Sequence, residues 1–172
     1  MKRNYPWLEW AFGEVGVRRT NKAPGNPRII EYWKLFKMSG IKNERTPWCS
    51  GFVGAALESS GISTASPTST YRIRTKDSSK YWLVWHGGSK LAQPAYGCIA
   101  VMERQGGGHV GFVVGRTEDG DLILLGGNQG SAVSIAKFPR DKFIGFIMPR
   151  DYAKDMDYDL PVGIANAEHN LA

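Results

Sequence analysis

The chain predicts an α+β fold, helices first and a meander of antiparallel strands second, on three observations. Apolar residues recur at helical spacing in three segments before residue 61, short β-rich runs replace them after residue 97, and Gly, Asp or Pro turns separate those runs. Helices followed by strands give an α+β domain whose antiparallel sheet can curl toward a barrel. At 172 residues and 42% hydrophobic, the chain fits one domain with a core large enough to need no disulfide staple.

Pro6 opens the first helix, with Trp7, Leu8, Ala11, Phe12 and Val15 at i, i+3/i+4 spacing and Gly16 as its stop. After a loop from Thr20 to Asn26, Asn26-Pro27 supplies a cap and a first-turn proline. The second helix then carries Ile29, Ile30, Trp33 and Phe36 on one side and ends near Gly40. In Thr46-Pro47-Trp48-Cys49-Ser50-Gly51-Phe52-Val53, Thr46 is the expected N-cap and Pro47 the first helical residue; Gly61 closes this third helix. Ser63 to Ser79 reads as a long surface loop bordering a cleft, and Tyr81 to Trp85 as an apolar run of either type. The expected strands are Cys98 to Met102, His109 to Gly115, Asp121 to Leu125, Ala132 to Phe138 and Phe143 to Met148. Residues 1–150 form the expected single domain. Residues 151–172, with four aspartates and a glutamate, read as a C-terminal tail or linker stub.

Cys49 is the residue with chemistry to offer. Placed in a first helical turn, it lies among unpaired backbone N–H groups and the positive end of the helix dipole, both of which favour a thiolate. The other cysteine is Cys98. A Cys49–Cys98 disulfide is compatible with the sequence and is the structural rival to a nucleophile. His86, His109 and His169 are too far apart for a zinc-ligand pattern, and no phosphate-binding or dinucleotide motif occurs, so no metal or cofactor is expected.

The hairpin after Gly108 supplies a partner for the thiol. With Thr117-Glu118-Asp119-Gly120 as the turn, Arg116 faces Asp121, and counting outward sets His109 opposite Asn128. A base that takes the thiol proton and a polar group that orients the base are what a cysteine hydrolase requires. Taken singly, each residue has a plainer reading: Cys49 as a small buried hydrophobe, His109 as a hydrogen-bonded strand residue, Asn128 as a turn residue. Their combination favours chemistry.

The net charge of +6 and pI near 9.4 favour an anionic partner, although the basic residues are scattered and a solvated surface is the default. No signal-peptide hydrophobic region or membrane span is visible. The expectation is a soluble protein made in the cytoplasm without a signal peptide and exported, if at all, by other machinery.

Pro47-Trp48-Cys49-Ser50, Gly108-His109-Val110-Gly111-Phe112 and Leu125-Gly126-Gly127-Asn128-Gln129 together resemble the CHAP and NlpC/P60 papain-like cysteine hydrolases of peptidoglycan. Asn26-Pro27-Arg28-Ile29-Ile30-Glu31-Tyr32 is similar to a phage-associated branch of that superfamily, and the likeness spans about Trp7 to Pro149. The resemblance implies a papain-like fold, with N-terminal helices packed on a C-terminal sheet. It implies Cys49 as nucleophile, His109 as base and Asn128 as orienting residue, with Trp48, Gly108 and Gln129 beside the substrate. The implied reaction is cleavage of a cell-wall amide, either the muramoyl–L-alanine bond or a stem-peptide bond, by an endolysin-like monomer. Its partner is bacterial peptidoglycan, not nucleic acid, and no stable membrane insertion is implied. One departure is Gly97-Cys98, where the family often has Gly-Asp. The rival functions are a non-catalytic basic module that binds wall or nucleic acid, and a thiol acyltransferase or isopeptidase on another substrate.

Overall fold

The computed structural model describes residues 2–65 and 76–163. Three α-helices, α1 (Pro6–Gly13), α2 (Pro27–Leu35) and α3 (Cys49–Ser59), precede a 3-10 turn at Ser79–Leu83. Six strands complete an α+β architecture: β1 (Gly88–Leu91), β2 (Ile99–Arg104), β3 (Gly107–Arg116), β4 (Leu122–Gln129), β5 (Ala132–Phe138) and β6 (Phe143–Pro149). They form one antiparallel sheet in the order β1-β6-β2-β3-β4-β5. Among the described residues, no helix is long and apolar enough to cross a membrane.

α3 is the central element. Its first nine residues, Cys49 to Leu57, are all buried, as expected of a helix that is apolar on every side. It packs on β3 and β4 at one side and on α2 and α1 at the others. Glycine makes the approach of α2 possible: a Cβ at Gly51 would lie 3.0 Å from the Trp33 ring, and one at Gly54 only 1.9 Å from Phe36. Around this helix sit fully buried Trp7, Trp33, Trp48, Trp82, Tyr32 and Phe52.

The sheet is curled. β5 and β6 are separated in the sheet by three strands, so a flat sheet would hold them about 19 Å apart. A connection containing the 3-10 turn Arg140–Lys142 falls short of that span. The rings of Phe138 and Phe143, at its two ends, have centroids 6.4 Å apart. His109 on β3 and Phe138 on β5 likewise stack at 5.2 Å although β4 lies between their strands, which places both on the inner face of the curl.

Several boundaries differ from the sequence expectation. Asn26 caps α2 as expected, accepting the Arg28 N–H, but the helix ends at Leu35 because Lys37 takes the left-handed conformation (φ +59°). Thr46 is not the cap of α3. Its N–H and hydroxyl both donate to Asn43 Oδ1, Trp48 occupies the capping position, and Cys49 becomes the first helical residue. Phe12 and Val15, expected on the apolar face of α1, are partly exposed. The chain then turns at Gly16 (φ +99°), and residues 16–19 bond to the start of β5, covering part of that edge. The edge strand β1 carries no clear alternation and was not anticipated. Part of the expected Ser63–Ser79 loop, residues 66–75, lies outside the described residues.

The acidic tail folds back on the body as far as Gly163. The Tyr96 N–H donates to Asp157 O, Arg116 N–H to Pro161 O and Gly163 N–H to Arg116 O, while Leu160 is buried and Lys2 pairs with Asp157 at 3.0 Å. Residues 164–172, including His169, lie outside the described residues.

The α2–α3 contact yields a stability test. Gly54→Ala should destabilise the protein by about 1–3 kcal/mol, because the added methyl overlaps the Phe36 ring and neither helix can withdraw without opening the core. Thermal denaturation of the variant should show a lowered Tm.

Candidate active site

Cys49 opens α3 with 5% of its surface exposed, and the backbone N–H groups of Val110, Ser50 and Cys49 itself are placed to favour its thiolate. The influence of the Val110 N–H sets the thiol near the β3 backbone at the residue after His109. Burial and the N–H groups act in opposite directions, and burial wins: the Cys49 thiol is pushed above its ordinary value. The thiolate expected from the helix dipole is therefore not the resting form. Cys98 is also free, which removes the disulfide reading. It is completely buried at the start of β2, and loss of solvent pushes its pKa up to about 12.

His109 is buried on β3, opposite Met102 on β2, with Phe138 stacked on its ring. Its Nε2 lies 2.9 Å from Gln129 Oε1. The Gln129 amide nitrogen donates to Ser134 O at 2.7 Å, with Leu124 O and Ser134 Oγ each at 3.3 Å, so its oxygen is the atom left for the imidazole. An amide oxygen only accepts, which puts the ring proton on Nε2 and leaves Nδ1 as the basic atom. Burial lowers the pKa of His109 to about 4, against the opposing Gln129 bond and with help from the Arg104 charge. At neutral pH both members of the pair are uncharged. No direct hydrogen bond joins thiol and imidazole among the described residues.

The partner of His109 is thus Gln129, not Asn128, and the correction has a local cause. The β3–β4 pairing begins as Arg116 with Leu122, one residue off the expected register, and a bulge between Val113 and Gly115 restores the expected alignment at Phe112 with Leu125. A second irregularity then falls between Gly126 and Gln129, where Asn128 takes φ +58°. This extra residue breaks the alternation of faces, leaving Asn128 half-exposed and turning Gln129 inward. Gly126 gives the inward carboxamide room: a Cβ there would sit 2.5 Å from Gln129 Oε1.

The three expected substrate contacts are placed differently. Trp48 is completely buried, tilted against Tyr32, and belongs to the core. Gln129 is fully buried and committed to His109 and Ser134. Gly108 is half-buried, and a Cβ there would meet Ser79 Oγ at 2.4 Å, so it lets β3 pass the 3-10 turn. Glu44 is buried too. Loss of solvent works against its carboxylate, but N–H groups of Asn26, Thr20 and Asn21 and the Thr20 hydroxyl hold it at about 2, fastening the 20–26 loop below α3. Ser134, Phe138 and Arg104 are the site neighbours that sequence reasoning missed.

The depressed pKa of His109 gives a pH test. Between about 4 and the ordinary 6.5, the unfolded chain holds a proton that the native ring does not. The stability tied to the neutral ring is complete above 6.5 and is lost as pH falls toward 4. Thermal melts from pH 7 to 4 should show a falling Tm, and His109→Gln should flatten that fall between 6.5 and 4. Equal slopes would assign the acid sensitivity to the carboxylates of Glu14, Glu44 and Glu58.

Comparisons with protein-family models, with curated proteins and with solved structures return no significant match to this chain, so its functional reading rests on these side chains and their chemistry.

Proposed function

We propose that this chain is a thiol hydrolase of the papain-like, NlpC/P60–CHAP type that cleaves an amide bond of bacterial peptidoglycan. The observation that carries the reading is the pairing of two arrangements: a thiol at a helix start facing the β3 backbone, and a histidine on that strand whose tautomer a buried glutamine sets.

The chemistry runs from a neutral pair. As substrate displaces the remaining water, His109 Nδ1 takes the Cys49 proton and the sulfur attacks the scissile carbonyl. Gln129 Oε1 holds the Nε2 proton throughout and stabilises the imidazolium that forms. The backbone N–H groups of Ser50 and Val110, which act on the thiol, are donors available to the developing oxyanion. His109 returns the proton to the departing amine, leaving a thioester. Water, deprotonated by the same nitrogen, then releases the acid and regenerates the thiol.

The cell wall as substrate is supported by the residue pattern around Cys49, His109 and Asn128-Gln129 and by the net charge of +6, which suits an anionic polymer. The scissile bond is the muramoyl–L-alanine amide or one within the stem peptide. An endolysin-like role, with synthesis in the host cytoplasm and action at the wall, follows from the same reading.

Clearing of purified cell walls tests it. Cys49→Ala and Cys49→Ser should abolish clearing with Tm retained, and Cys98→Ala should clear at the parental rate. Gln129→Ala should lose roughly tenfold or more in kcat/KM, since the ring tautomer is no longer set, while Asn128→Ala loses far less. Clearing by Cys49→Ser at the parental rate would overturn the proposal. New amino groups without new reducing ends would identify amide cleavage.

A further inference from the structure

A second feature adjoins His109 on the inner face of the sheet. A groove of about 650 Å³ opens at the end of the curl, where the β2–β3 turn faces the β5–β6 connection. Its apolar walls include Met102 and Phe138, the residue opposite His109 and the ring stacked on it. Its cations are Arg104, Lys137 and Lys142. None of the three forms a salt bridge among the described residues, whereas the groove's Glu103 is engaged by Lys80. Asp121 is the other carboxylate in the lining, so cationic charge predominates.

We infer that this groove binds an oxyanion-bearing group, a carboxylate or a phosphate, and holds it beside His109. A cavity of this size with an apolar floor and convergent cations suits a short anionic segment rather than a bare ion. Arg104 and the two lysines supply charge-assisted hydrogen bonds that a neutral ligand would not use. Occupancy also has a consequence for the base. The Arg104 charge lowers the pKa of both His109 and Cys49, so an anion that neutralises it makes His109 more basic. On the reading as a wall hydrolase, which this inference deepens, the bound anion is a wall carboxylate or a wall-polymer phosphate, and binding primes the proton acceptor.

The test uses the full chain carrying Cys49→Ala, so that no probe is consumed. A stem tripeptide with free carboxylates, the same tripeptide fully amidated, and glycerol phosphate are titrated calorimetrically, and the His109 ring is followed by nitrogen NMR. The expected result is saturable binding of the tripeptide, the phosphate or both, with none for the amidated peptide. The Lys137→Gln/Lys142→Gln double variant should weaken it tenfold or more, Lys22→Gln should leave it unchanged, and the His109 titration should move upward on binding. The arm that saturates names the source of the oxyanion. Saturation by neither, or equal affinity in the double variant, overturns the inference. Binding that persists in a protein whose Cys49 form clears no wall removes the hydrolase reading and keeps the site; clearing without binding removes the site alone.

Discussion

The seating of α3 between the other helices and the sheet governs where every other group can be. A Cβ on Gly127 of β4 would fall 2.5 Å from Phe52 Cβ and 2.9 Å from the Trp48 ring, and Gly51 and Gly54 meet α2 as closely on the opposite side. Two glycines inside a helix cost about 0.5–1 kcal/mol each relative to alanine. That cost is offset by burial of Trp33, Phe36, Phe52 and Trp48, each worth about 1.5–3 kcal/mol when removed from water. The helix can neither rotate nor slide without driving backbone into an aromatic ring. Its first residue, Cys49, therefore has a fixed position against Val110.

The same tightness decides the electrostatics. A helix start, nearby backbone N–H groups and the charge of Arg104 all favour a thiolate, yet a residue 5% exposed loses more from desolvation than they restore. His109 undergoes the complementary shift, downward, for the same reason. Proton transfer from sulfur to nitrogen in the empty site would place two charges in a poorly solvated volume. On the proposed hydrolase reading, substrate supplies part of the stabilisation, which ties ionisation to the presence of a carbonyl to attack.

Much of the architecture was legible in sequence because it follows from local rules. Asn26-Pro27 marked the start of α2 and Gly61 the end of α3, and β5, from Ala132 to Phe138, was read to the residue, whereas α1 ends at Gly13, before the expected stop at Gly16. Cys49 and His109 were visible for the same reason, one in a first helical turn and the other opening an alternating strand. The failures share a cause in non-local geometry. The irregularity in β4, at the left-handed Asn128, exchanged the positions of Asn128 and Gln129. No periodicity announces a bulge of that kind, although the Gly126-Gly127 pair beside it was a signal of close packing. Phe138 reaches His109 only because the sheet curls, and the curl follows from how short the β5–β6 connection is relative to the strands between, whereas Arg104 lies two residues along β2 from Met102, the residue paired with His109. Trp48 looked like a cleft residue beside the thiol, but a first-turn neighbour of Cys49 points a different way around the helix.

The two free thiols make the protein its own reporter of breathing motions. Cys98 lies wholly inside the fold next to Gly97, against which Tyr5 and Leu8 pack, whereas Cys49 keeps 5% of its surface exposed at the start of α3. An alkylating reagent reaches the first only when the body comes apart, and the second through a far smaller excursion. Counting modified sulfurs against time would separate the two opening events in one unlabelled sample, and so measure how much of the molecule must loosen before Cys49 meets solvent.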